Sequence, residues 1–158
     1  MNDTQGTSYL RLQQHPAVQL AIQALSTSVR ARTAVLKRDA GSAALAHLVN
    51  PNDTASRKRA LEWQARVGGL QAAYAVVDSE SRCFEGNLAE FVRHVHRRLQ
   101  DNAKAREAEA GRLALEAICS INCELTGVRL QALEHHERWQ GTNEVIKAFL
   151  EQFEPMLD

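Results

Sequence analysis

Proline is nearly missing from this chain: only Pro16, Pro51 and Pro155 occur in 158 residues. Residues 52–154 therefore contain no helix breaker of that kind. No apolar run approaches the roughly 18 residues of a membrane span, and the opening Met1-Asn2-Asp3-Thr4-Gln5 has no apolar signal core. Secretion and membrane spanning are not expected. Three cysteines, an odd number, argue against a disulfide framework and point to a reducing cytoplasm. Net charge is zero, which removes the simple argument for nucleic-acid binding. Aromatics make up only 5%. Strand-like alternation is absent as well.

What is present is helical. Alanine supplies 24 residues, and Leu, Gln, Glu and Arg are plentiful, all good helix formers. An apolar share of 44% with 24% charged residues belongs to a globular domain. The sequence predicts an all-α, mostly antiparallel bundle of four main helices plus one or two short ones, elongated by its fourth helix. A polar N-terminal segment, 1–15, precedes a single helical domain, 16–158.

Pro16 suits a first helical turn, followed by Val18, Ile22, Leu25, Val29 and Leu36, with Asp39-Ala40-Gly41 as a stop. A short apolar piece, Ala43 to Val49, leads to the loop Asn50-Pro51-Asn52-Asp53-Thr54, and Asp53, Thr54 or Ser56 caps the next helix. Its stripe is Ala60, Trp63, Val67, Leu70, Tyr74 and Val77. The stripe keeps phase across Gly68-Gly69, which favours a close helix approach there. Asp78 to Gly86 reads as a turn. A third helix carries Leu88, Val92, Val95 and Leu99, and Gln100–Gly111 is either solvated helix or a bend. A fourth, over residues 103–140, carries Ala114, Ile118, Ile121, Leu125, Val128, Ala132, His135 and Trp139. Gly141 ends it, and Thr142 caps a last short helix with Ile146, Phe149, Leu150 and Phe153.

A straight 103–140 helix would measure about 57 Å, against a radius of gyration of about 15 Å for a compact chain of this length. Such a rod bends at Gly111 or Gly127, or projects and is covered by a partner. On the same helix Leu115, Cys119, Leu130 and Leu133 form a second apolar stripe, with Asn122, Arg129 and His136 between the two at seven-residue spacing. This row is expected to be a buried polar seam, either setting helix register or binding a ligand.

Two basic clusters are candidate partner-binding residues: Arg57, Lys58 and Arg59, and Arg93, Arg97 and Arg98 beside His94 and His96. The first sits in an opening helical turn, where the macrodipole disfavours cations, and neither has interleaved aromatics. Charge is also segregated: residues 1–98 hold 13 basic and 8 acidic side chains, residues 99–158 hold 6 and 11. Cys119 and Cys123, one helical turn apart, and the lone Cys83 read as packing thiols, since further ligands at zinc spacing are missing. His94 and His96 point to opposite sides of a helix, and Glu-x-x-His pairs are absent, which excludes a di-iron bundle. No phosphate loop, nucleophile elbow or paired-carboxylate constellation occurs. The chain reads as a non-enzyme without a cofactor: a cytoplasmic, coiled-coil-like interaction or assembly module with a protein partner or self-association and no membrane. The alternatives are a nucleic-acid-binding or regulatory protein using the basic helix faces, and a small-molecule-binding bundle built on the polar seam.

Overall fold

The computed structural model describes residues 12–119 and 126–157. Four long helices account for most of them: α1 (Pro16–Val49), α2 (Thr54–Cys83), α3 (Leu88–Cys119) and α4 (Thr126–Phe153). Short 3-10 turns, Leu12–Gln14 and Glu154–Met156, stand at the two ends. The fold is an all-α bundle. Its elongation is shared by every helix, since α1 alone, with 34 residues, measures about 51 Å.

The ends of these helices follow from local chemistry. Pro16 occupies the first turn of α1, where a missing N–H costs nothing. Asn50, held extended before Pro51, closes it, because a residue preceding proline is driven out of the α region. Asp53 caps α2: its Oδ1 accepts the Ser56 N–H at 3.0 Å and its Oδ2 accepts the Ser56 hydroxyl at 2.6 Å. Those two bonds hold the Asp53 carboxyl below the usual carboxylate range, the hydroxyl contributing most. A reciprocal capping box opens α3. The Glu90 N–H donates to Asn87 Oδ1 at 2.9 Å, and the Asn87 N–H to Glu90 Oε2 at 3.1 Å.

Several expected boundaries are corrected. Helix α1 runs through Asp39-Ala40-Gly41 to Val49, because Ala40 and Ala43 continue its buried row while Gly41 faces open space. Helix α2 extends past Val77 to Cys83, absorbing much of the expected turn. Of the two readings of Gln100–Gly111 the helix is found, and it is not wholly solvated, since Ala103 and Ala110 face the core. The single helix over 103–140 does not form. Its residues are divided between α3 and α4, with 120–125 outside the described residues. Gly141 lies inside α4, not at an end, and Thr142 donates its hydroxyl to the Arg138 carbonyl at 3.0 Å instead of capping a new helix. The packing also begins earlier than residue 16, since Leu12 is part of the core.

Packing is organised around α2 and α4. A Cβ on Gly69 would lie 2.8 Å from Arg138 Cα, and one on Gly141 would lie 2.8 Å from the Leu70 nitrogen. Both are closer than real Cβ atoms come, so the absent side chains are what let these backbones touch. The close approach read from Gly68-Gly69 is found here. Helix α1 packs on α2 and, to a lesser extent, α4; α3 packs chiefly on α4. Among the described residues no comparable contact joins α1 to α3, so these two flank the central pair on opposite sides.

All four phenylalanines gather at one end. Phe91 meets Phe84 at 5.7 Å, Phe149 at 6.3 Å and Phe153 at 5.7 Å between ring centroids. Fifteen residues further along α3, Arg106 meets His135, so α3 and α4 pass each other in opposite chain directions. Towards that second end the core thins to Ala40, Ala43, Ala65, Ala110, Leu113 and Ala132.

Candidate interaction surface

The two basic clusters are not brought together. Arg57, Lys58 and Arg59 lie in the first turns of α2, next to the α1–α2 loop, whereas Arg98 and His94 bind Glu80 near the other end of α2. Twenty-three residues of helix separate Arg57 from Glu80, about 35 Å. Several of these side chains are also engaged within the chain. His94 Nε2 is 2.8 Å from Glu80 Oε2, Lys58 Nζ is 3.4 Å from Glu62, and Arg93 Nε donates to the Ala89 carbonyl. Arg97 is exposed. Arg57 and Lys58 rim a groove of about 500 Å³ between α2 and α4, lined by Leu61, Leu130 and Leu133.

The expected polar seam is corrected too. Arg129 and His136 are exposed, and His136 leans on Trp139 with 5.3 Å between ring centroids. Asn122 falls outside the described residues. A buried seam needs one helical phase across 103–140, whereas the described residues of that range belong to two helices, α3 and α4. The polar network that does cross the bundle lies elsewhere. Arg66 of α2 donates from Nε to Glu137 at 2.7 Å and lies 3.8 Å from Glu144, which also accepts from Arg32 of α1 at 2.8 Å. Glu137 is only 8% exposed. Glu137 and Glu144 are two turns apart on α4 with Gly141 between them, a spacing from which this face was legible. The hydrogen bond that Arg32 donates to Glu144 raises the Arg32 pKa above its ordinary value.

The thiols are corrected as well: Cys83 and Cys119 are free and exposed, each at the last position of its helix, and Cys123 falls outside the described residues. Among the described residues no three His, Cys, Asp or Glu side chains come together as a metal site requires.

The two-faced helix of this fold is α1. Its inward row is Val18, Ala21, Leu25, Val29, Thr33, Leu36, Ala40 and Ala43. On the opposite face runs a second row at alternating four- and three-residue steps: Leu20, Ala24, Thr27, Ala31, Ala34, Arg38, Gly41, Leu45 and Leu48, all exposed. Leu45 is 64%, Leu48 74% and the adjoining Val49 87% exposed. Two hydroxyls on this side bond to their own helix, Thr27 to the Gln23 carbonyl and Ser42 to the Arg38 carbonyl. That leaves the face less polar than its composition implies.

One edge of the face is basic, with Arg30 and Lys37 seven residues apart, and the other carries Ser28, Val35, Ser42 and Val49. The outward side of α3 repeats the theme on a smaller scale. Ala108, Gly111, Leu115 and Ile118 form one row, with Leu115 65% and Ile118 79% exposed. Leu45, Leu48 and Val49 of the first row and Leu115 and Ile118 of the second lie at the alanine-cored end, while Leu20 lies at the other end of α1. Arg112, between Glu109 and Glu116, leaves the α3 row flanked by charges satisfied within the helix. The hydrogen bond from Arg112 lowers the Glu109 pKa.

Sequence reading missed the α1 row because Ala, Thr and Gly carry little hydrophobic signal. The regular step between Leu20 and Leu48 was the cue. No helix among the described residues is long and apolar enough to cross a membrane. Comparison with protein-family models, curated proteins and solved structures gave no match.

Proposed function

We propose that this chain is a helical protein-interaction module, an adaptor, chaperone or structural subunit, that binds through the outward face of α1. The observation that carries this reading is the exposed row from Leu20 to Leu48 with Val49 at its end. Large apolar side chains at the two ends of a regularly spaced, otherwise small-residue row, Leu20 at one and Leu45, Leu48 and Val49 at the other, stabilise the free chain little while solvated and gain from being covered. Each fully covered Leu or Val contributes roughly 1.5–3 kcal/mol of hydrophobic burial. A seam of this step is what a second helix packs against.

The chain is read as a binding protein and not as an enzyme. The separation of the basic clusters, and the internal ion pairs of Arg98 with Glu80 and Lys58 with Glu62, weigh against nucleic acid, which favours a continuous basic track.

A photo-crosslinker at position 45, in the full chain and in cells that make it, tests the reading. Discrete protein adducts are expected at position 45 and not at the exposed control position Glu151. Adducts of equal yield at both positions, or none at 45, would remove it.

A further inference from the structure

We infer that the partner covering α1 is an acidic amphipathic helix, lying lengthwise on the Leu20–Val49 face with carboxylates along the Arg30–Lys37 edge; this rests on the interaction-module reading. Three features of the face select that occupant. The first is charge. Arg30, Lys37 and Arg38 lie on or beside the row, and the only acidic residue of α1 is Asp39, 3.3 Å from Arg38. Arg30 and Lys37 have no ion-pair partner among the described residues. A helix with carboxylates seven residues apart on one edge would pair with both, and its charge would steer the encounter.

The second feature argues against a second copy of this chain. A parallel α1–α1 pair stacks Arg38 on Arg38 within the seam. An antiparallel pair sets the Arg30–Lys37 edge against itself. Either way like charges meet, which destabilises helix pairing.

The third feature separates a helix from a lipid surface. Apart from Arg38, the middle of the row is small: Ala24, Thr27, Ala31, Ala34 and Gly41. These small side chains would bury little among acyl chains, yet they let another helix approach closely, as Gly69 and Gly141 do within this bundle. Leu20 at one end, and Leu45, Leu48 and Val49 at the other, supply the apolar anchors.

Two fluorescent synthetic peptides and one vesicle preparation, each titrated with the full chain, provide the test. The first peptide is a four-heptad helix with Leu and Ala in its seam and Glu at both flanks; the second replaces every Glu by Lys; the vesicles are phosphatidylglycerol. The acidic peptide is expected to bind, and the lysine peptide about tenfold more weakly or not at all. Binding should weaken as salt rises to about 0.3 M. The variant Arg30→Glu/Lys37→Glu should reverse the preference. Leu45→Asp/Leu48→Asp, on positions exposed enough to leave the fold intact by circular dichroism, should weaken the acidic peptide about tenfold.

Equal binding of the two peptides would overturn the acidic-partner inference, as would vesicle binding without peptide binding. A doubled solution mass that Leu45→Asp/Leu48→Asp abolishes, with neither peptide bound, would overturn it too while leaving the interaction reading in place. No binding in any arm likewise overturns it, and the crosslink at position 45 then decides the interaction reading separately.

Discussion

Two glycines in the same fold should respond to alanine with opposite signs. At Gly141 an added Cβ would lie 2.8 Å from the Leu70 nitrogen and press on the Arg66 carbonyl, both backbone atoms of α2. Neither can rotate away. Restoring ordinary contact requires α2 and α4 to part by at least about 0.6 Å, and a gap of that size forfeits about a quarter of the dispersion energy at each contact along the seam. Overpacking of this kind costs roughly 1–3 kcal/mol. The upper end is expected, since Leu70 and Ala73, both buried, line the α2 side of this contact.

At Gly41, in the exposed face of α1, nothing lies within 4 Å of the added Cβ. Alanine there should stabilise by about 0.5–1 kcal/mol through the unfolded chain's lost freedom. Thermal unfolding followed by circular dichroism would report a fall of about 10 °C for Gly141→Ala and a rise of about 2 °C for Gly41→Ala. A neutral Gly141→Ala, or losses of equal size at both positions, would refute the close-contact reasoning.

Other perturbations follow from the polar contacts. Arg66→Met leaves the buried Glu137 carboxylate without its principal partner and should cost about 3 kcal/mol in urea unfolding; adding Glu137→Leu should recover most of that loss. Because the fold depresses the Asp53 pKa, its contribution is fully present above the unfolded value near 3.9 and is lost as pH falls through the lower folded value. The melting temperatures of Asp53→Ala and the parent, well separated at neutral pH, should therefore begin to converge below about pH 4 and meet only below the depressed folded value. Phe91→Ala removes the ring that touches Phe84, Phe149 and Phe153, and calorimetry should show a loss of about 3–5 kcal/mol.

The helical class was legible because proline and alanine usage act locally, and so was the Gly68-Gly69 approach, because the stripe kept its phase. Boundaries were misread wherever a glycine was taken as a stop. Gly41 and Gly111 are tolerated because their cost in an exposed helix is only about 1 kcal/mol, and Gly141 is required by a neighbour that no local pattern reveals. The start of α3 is fixed by the reciprocal Asn87–Glu90 bonds. Arg129 and His136 were misplaced for a geometric reason: any interruption of the helix resets every angle computed across it. The outward face of α1 was obscured by its own small residues, which become meaningful only once the opposite side of the helix is seen to be buried.

The most direct measurement is an amide chemical-shift map of the full chain titrated with the acidic heptad peptide. Docking on α1 predicts changes concentrated on the outward positions from Leu20 to Val49, with Arg30, Lys37 and Leu45 among the largest. Changes centred on Arg57–Arg59 or Arg93–Arg98, with α1 silent, would contradict it.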